Sequence, residues 1–119
     1  MDLQKRIESF SYAINGIRLL FSSQLNARIH LVVALAVVIA GFLYHISPTE
    51  WVTVILCISL VTAMEAMNTA VEWLTDMVSP EFHPLAGKVK DVAAAAVLLT
   101  VFGAVAAGLF IFLPRIFQH

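Results

Sequence analysis

Residues 51–78 read WVTVILCISLVTAMEAMNTAVEWLTDMV, and this stretch decides the fold. Residues 51–64 form an apolar run without a charged side chain, and the run continues as a mixed segment that carries Glu65, Asn68, Glu72 and Asp76. Their spacing of three and four residues places these side chains on one face of a helix. A charge deep in a bilayer costs at least about 2.5–3.5 kcal/mol. We therefore expect this face to meet a partner helix, a cation or water.

The composition of the whole chain is that of a membrane protein. Of its 119 residues, 61% are apolar and 13% are charged, whereas soluble domains average about 45–50% and about 25%. Seven basic and eight acidic residues give a net charge of −1, which argues against a basic nucleic-acid binder. The single cysteine, Cys57, cannot form an internal disulfide. We expect no nucleic-acid partner and no disulfide scaffold.

The predicted fold class is an all-α integral membrane protein with an N-terminal amphipathic surface helix and three transmembrane helices in one domain. Residues 29–46, 51–78 and 92–113 are the predicted membrane helices, since about 17–25 helical residues cross the hydrocarbon core. Residues 1–28 place apolar side chains at helical spacing among basic ones, which is typical of a helix in the membrane interface. Residues 79–91 contain two prolines and a glycine and predict a cytoplasmic loop.

The basic residues predict how the chain is oriented. Six of the seven precede the first predicted span or lie in the loop, namely Lys5, Arg6, Arg18, Arg28, Lys88 and Lys90. Only Arg115 follows the last span. The positive-inside bias predicts a cytoplasmic N-terminus and loop and an external C-terminus.

The depth of the acidic residues suggests where chemistry takes place. Glu65 lies about 21 Å along the helix from Trp51, inside a hydrocarbon core of about 30 Å. Glu72 and Asp76 lie nearer the cytoplasmic boundary. There Asp76 also fits well a helix end that emerges into water, whereas Glu72 fits it less well and Glu65 poorly. Carboxylates at this depth suit an enzyme that joins a water-soluble reactant to a membrane-dissolved one.

Four segments resemble one known family, the small prokaryotic lipid kinases that act on diacylglycerol or undecaprenol. They are EAMNTAVEWLTD (65–76), KDVAAAAVLL (90–99), SPEFH (79–83) and NARIHL (26–31), the last being more similar to undecaprenol-kinase-type members. The resemblance implies a homotrimer in the inner membrane of a bacterium. It also implies transfer of the ATP γ-phosphoryl group to a lipid alcohol with Mg²⁺, and it leaves both lipids open.

The same resemblance implies roles for individual residues. Glu65 is implied as the general base on the lipid hydroxyl, Asn68 as a residue that shapes the catalytic site, and Glu72 as the ligand of the metal and the nucleotide phosphates. The residues implied on the nucleotide side are Asp76, Glu81, His83, Lys90 and Asp91. Tyr12 is implied near the base of the nucleotide, and Lys5 at the edge of the lipid and nucleotide sites.

One position departs from the family pattern. Many members carry a glutamate, as a second metal ligand, at the position of Gln24. A glutamine keeps a carbonyl oxygen but loses the charge, so either the metal is held by one fewer anion or a neighbouring acid compensates.

Two alternative functions differ from an active kinase. One is a non-catalytic helical oligomer with a cation site formed by Glu65, Glu72 and Asp76, although residues 51–64 offer few polar groups for a continuous path. The other is a family member whose catalysis is impaired by Gln24.

Overall fold

The computed structural model describes residues 2–118. They form four helices, α1 (Leu3–Ser23), α2 (Leu25–Leu43), α3 (Pro48–Val78) and α4 (Pro84–Ile116), and no strand occurs among them. By length and composition α2, α3 and α4 can each cross a membrane. The predicted all-α fold with a preceding amphipathic helix and three membrane helices is confirmed.

The first helix boundary lies earlier in the chain than predicted. The surface segment was expected to extend to residue 28, but α1 ends at Ser23 and α2 begins at Leu25. The break falls on Gln24, whose backbone is extended (φ −114°, ψ 114°) and whose N–H donates to the Leu20 carbonyl at 3.0 Å. One extended residue therefore separates the two helices, and residues 25–28 belong to α2.

The predicted loop over residues 79–91 is shorter in the structure, because α4 begins at Pro84. Proline is tolerated in the first helical turn, where its missing N–H has no partner in any case. His83 caps this helix, and its Nδ1 accepts from the Leu85 N–H at 3.1 Å. The second proline of the loop thus starts a helix, and only residues 79–83 connect α3 to α4.

The turn between α2 and α3 is held by local hydrogen bonds. α2 ends at Leu43, before the predicted residue 46, because His45 adopts a left-handed conformation (φ 52°). The Ile46 N–H then donates back to the Gly41 carbonyl at 3.2 Å, as in helix C-terminal capping motifs. A Cβ on Gly41 would lie 2.7 Å from Cη2 of Trp51, so the absence of a side chain there lets the indole pack against α2.

α3 begins with a capping box that the sequence signals. Ser47 Oγ accepts from the Glu50 N–H at 3.2 Å, and the Glu50 carboxylate accepts from the Ser47 N–H at 2.9 Å. Two donors at the helix N-terminus are satisfied in this way. The cap fixes the point at which α3 starts and thereby the level of its acidic residues.

Two ion pairs join α3 to α4 near their opposite ends. Arg115 forms a two-pronged pair with the Glu50 carboxylate, at 2.6 and 2.8 Å. At the other end Lys90 Nζ donates to Asp76 Oδ1. About 26 residues of α3, or about 39 Å, separate the two pairs, which exceeds a hydrocarbon core of about 30 Å. Both pairs can therefore lie at the membrane boundaries, with the apolar segments between them.

α1 leaves an apolar face uncovered. Its C-terminal end is anchored by buried Leu20, whereas its earlier apolar side chains are exposed, among them Ile7, Phe10, Ile14 and Ile17. Large apolar side chains are also exposed along α2, α3 and α4. Such surfaces are expected where lipid or other protein chains, and not water, cover the molecule.

Candidate active site

Glu65 is the most deeply buried acidic side chain of the site. Only 4% of the residue is exposed, and its Oε1 lies 3.2 Å from Nε2 of His30 on α2. One turn further, buried Thr69 donates its hydroxyl to the Glu65 carbonyl at 2.9 Å. The carboxylate is thus held between α2 and α3, as its position in an apolar helix requires, since buried charges need a partner.

Asn68 and Glu72 form the next layer of the predicted polar face. Asn68 Nδ2 donates to Glu72 Oε1 at 3.4 Å, while Asn68 Oδ1 is buried and has no hydrogen-bond partner. Nearly all buried polar atoms in folded proteins are satisfied. An unpaired carbonyl oxygen beside a carboxylate therefore marks a place where a further donor or a cation fits.

Asp76 and Lys90 form the outermost layer. Their ion pair links the end of α3 to the first turns of α4, and both side chains are well exposed. Of the residues that the family resemblance implies on the nucleotide side, Asp76 and Lys90 are therefore in contact. Along α3 the polar groups pass from a buried carboxylate to a solvent-accessible ion pair.

The remaining predicted residues lie outside these contacts. His83 uses its ring to cap α4, and Glu81 accepts a hydroxyl hydrogen bond from Ser79 only through its backbone carbonyl, at 3.1 Å. Tyr12 is 73% exposed on α1. Among residues 2–118, no described contact joins Lys5, Tyr12 or Asp91 to the acidic side chains of α3.

Gln24 occupies the break between α1 and α2. Its Nε2 donates to Ser23 Oγ at 3.3 Å, and the residue is half-buried. No hydrogen bond joins Gln24 to Glu72 among the described residues. The predicted second metal ligand therefore lies at a helix junction and forms no hydrogen bond with Glu72, the first predicted ligand.

The donors available for a metal are oxygen atoms. In the described part of the chain no three histidine, cysteine, aspartate or glutamate side chains converge on one point. Mg²⁺ is commonly held by one or two carboxylates together with substrate phosphates, and it keeps several waters. The Glu72 carboxylate and the unpaired Asn68 Oδ1 fit such a sparse site.

An apolar cavity lies beside His30, the residue that contacts Glu65. It has a volume of about 210 Å³ and lies between α2, α3 and α4, with His30, Thr62 and Ile111 among its lining residues. The Thr62 hydroxyl donates within its own helix, to the Ile58 carbonyl at 2.8 Å. The cavity therefore presents little that would retain water or a hydrated ion, which argues against a cation pathway through this part of one chain.

Comparison with known proteins decides the family. The sequence model of the prokaryotic diacylglycerol kinases matches residues 11–112. The chain belongs to this family. The resemblance carried by the four sequence segments is thereby confirmed.

Individual relatives agree over most of the chain. An undecaprenol kinase of Bacillus subtilis is 36% identical over 115 residues, which cover 97% of this chain and 94% of that protein. A diacylglycerol kinase of Synechocystis is 39% identical over 107 residues, covering 89% of this chain and 61% of that protein. A diacylglycerol kinase of Escherichia coli is 34% identical over 100 residues, covering 83% and 81%.

Family membership establishes the class of reaction. As a member of the prokaryotic diacylglycerol kinase family, the protein is a lipid kinase of a prokaryotic membrane, and ATP is the phosphoryl donor that a kinase implies. The non-catalytic oligomer is accordingly not favoured.

Sequence reasoning missed His30 as a functional residue. In the sequence His30 belongs to NARIHL and lies near the start of the first predicted span. The available signal was a histidine at the start of the apolar part of α2, three residues after the small Ala27. Its partner could not be read from the sequence, because the contact joins two helices.

Proposed function

We propose that this protein transfers the γ-phosphoryl group of ATP to the hydroxyl of undecaprenol, with Glu65 as the general base. The observation that carries the proposal is the position of Glu65. It is buried at the deep end of a polar face whose other end is the exposed Asp76–Lys90 pair. Such a face lets a water-soluble nucleotide and a membrane-dissolved alcohol approach each other.

The proposed chemical step is a single displacement. The acceptor oxygen forms a bond to the γ-phosphorus as the bond between that phosphorus and the β,γ-bridging oxygen breaks, and ADP leaves with the electron pair. The hydroxyl proton passes to a carboxylate oxygen of Glu65. Phosphoryl transfer depends mainly on positioning and on charge stabilisation, and a well-placed base adds about 10²–10⁴-fold.

Glu72 and Asn68 are the proposed holders of Mg²⁺. The ion would bind to the Glu72 carboxylate and to Asn68 Oδ1, which has no hydrogen-bond partner among residues 2–118. When bound, it would neutralise charge on the nucleotide phosphates. Asn68 Nδ2 would keep the Glu72 carboxylate oriented.

The nucleotide side is proposed at the cytoplasmic ends of α3 and α4. Lys90 is a mobile point charge suited to a phosphate, and its pair with Asp76 keeps it at the mouth of the site. By family resemblance Glu81, His83, Asp91, Tyr12 and Lys5 line the same region. The proposed orientation places the N-terminus and residues 79–83 in the cytoplasm and the C-terminus outside, in agreement with the distribution of basic residues.

A homotrimer is the proposed assembly. Gly103 has no atom within 4 Å of the place where a Cβ would stand, and large apolar side chains cover the outer faces of the helices. Small residues on a membrane helix favour close helix contacts. Assembly through these faces would shield Glu72 and Asn68 from lipid.

A transfer assay with two acceptors tests the proposed substrate. Purified protein in mixed micelles receives γ-labelled ATP, Mg²⁺ and either undecaprenol or diacylglycerol, and the label in the extracted lipid is measured. We expect kcat/KM to be at least about tenfold higher for undecaprenol. The support for this choice is NARIHL and the match to the Bacillus subtilis undecaprenol kinase along nearly the whole of both chains. Equal or faster labelling of diacylglycerol would contradict it.

Gln24 offers a test of the metal site. If its side chain faces the bound ion, Gln24→Glu adds an anionic ligand and should lower the Mg²⁺ concentration for half-maximal activity, by about two- to tenfold. The reason is that Mg²⁺ binds carboxylates more strongly than amide carbonyls. The measurement is initial rate against free Mg²⁺ at saturating ATP. Gln4→Glu adds the same charge near the start of α1 and is the matched control. An unchanged or raised requirement in Gln24→Glu would refute a ligand role at this position.

A further inference from the structure

The partner of Glu65 is an unusual residue for its location. His30 lies on α2, in a helix that otherwise has no ionisable side chain between residues 29 and 43. About a quarter of its side chain is exposed, whereas the Glu65 side chain is almost fully buried. Nε2 of the ring approaches Oε1 of the carboxylate to 3.2 Å.

The local packing explains why the two groups meet. Ala27 precedes His30 by three residues, so both lie on the same face of α2, and Ala27 is only 3% exposed. On α3, Glu65 and Thr69 are likewise on one face, and both are buried. The contact between the imidazole and the carboxylate therefore joins a buried face of α2 to a buried face of α3.

We propose that His30 is a positioning residue of the phosphoryl transfer, which fixes the Glu65 carboxylate at the height of the acceptor hydroxyl. A carboxylate with several rotatable bonds would otherwise turn along α3 toward Glu72 and the metal site. Because the ring contacts Oε1, the other carboxylate oxygen, Oε2, would take the hydroxyl proton. This inference rests on the proposed role of Glu65 as the base.

His30 also forms part of the wall of the apolar cavity. The ring therefore separates the carboxylate from a space that suits hydrocarbon. A leucine at this position would keep the apolar wall and lose the polar contact, whereas a glutamine would keep an N–H donor at similar reach. The pair of substitutions separates the loss of the contact from the loss of volume.

The kinetic test compares His30→Leu with His30→Gln. We expect His30→Leu to lower kcat by about ten- to hundredfold with the KM for ATP within twofold of the wild type, because Glu65 is misplaced while the nucleotide side is intact. His30→Gln should recover most of that loss. His45→Asn, at the opposite end of α2 and exposed, is the histidine control and should retain wild-type activity. Wild-type kcat in His30→Leu, or equal loss in both His30 variants at unchanged thermal stability, would overturn the proposal.

A spectroscopic measurement tests the contact itself, even if His30→Leu does not fold. The chain has four histidines, and ¹⁵N labelling of their rings reports each environment separately. Glu65→Gln should shift the His30 ring nitrogens and leave those of His45 unchanged. Unshifted His30 signals would overturn the proposal. Activity that survives in Glu65→Gln would instead overturn the proposed base, so the two failures are distinguishable.

Discussion

Glu65→Gln is expected to reduce lipid phosphorylation by about 10²–10⁴-fold, the range that removal of a general base produces. The amide has nearly the same size as the carboxylate but cannot accept the hydroxyl proton. Binding of ATP should be little affected, since Glu65 lies deeper than the proposed nucleotide side. The loss should therefore appear in kcat, with the KM for ATP and the requirement for Mg²⁺ near their wild-type values.

Protein stability provides the second part of this test. Glu65 is a buried carboxylate in contact with His30. A glutamine avoids the desolvation cost of burying a charge, and its amide can still form a hydrogen bond with the His30 ring. Glu65→Gln should therefore unfold at the same temperature as the wild type or a higher one, measured in detergent. Glu8→Gln, an exposed substitution on α1, controls for the loss of a carboxylate elsewhere. Equal labelling of lipid by Glu65→Gln and wild type would end the assignment of the base.

The sequence was sufficient to predict the features that depend on one helix. Amphipathic spacing in residues 1–28, the apolar length of three segments and the polar face of α3 all follow from local periodicity. The capping box seen at Ser47 and Glu50 likewise involves only residues close together in the chain. These features reappear in the structure because each depends on the geometry of a single helix.

Features that depend on two elements escaped prediction. The His30–Glu65 contact and the Glu50–Arg115 pair join residues distant in the chain, and no periodicity reveals which helix faces which. Pro84 was interpreted as part of a loop because proline both breaks helices and starts them, and only the following residues decide between the two. The break at Gln24 was not predicted either, because neither proline nor glycine lies next to it in the sequence.

The outward order of the polar groups gives the two glutamates different roles in the proposed mechanism. Glu65 is paired with a histidine and buried, whereas Glu72 accepts a hydrogen bond from an amide whose oxygen has no partner. The first environment suits a proton acceptor beside an apolar space. The second suits a ligand that shares a cation with incoming phosphates.

Glu72→Gln is accordingly expected to lower activity at least about 100-fold at millimolar Mg²⁺, and to raise the Mg²⁺ concentration for half-maximal activity. The amide can still accept the hydrogen bond from Asn68 Nδ2, so the local fold of α3 should persist while the anionic ligand is lost. Mg²⁺ sites of this kind use only one or two carboxylates. Among the described residues Glu72 is the acidic side chain that is hydrogen-bonded to Asn68, so its substitution removes the charge from this site.

The diagnostic comparison for Glu72→Gln is with Glu65→Gln across a Mg²⁺ titration. Part of the activity of Glu72→Gln should return as Mg²⁺ increases, because higher concentration offsets weaker binding, whereas that of Glu65→Gln should remain low at every concentration. If the Mg²⁺ dependence of Glu72→Gln superimposes on the wild-type curve, Glu72 is excluded as a metal ligand. Since the two residues lie only two helical turns apart on the same face of α3, such a difference in metal response would separate a proton acceptor from a metal ligand.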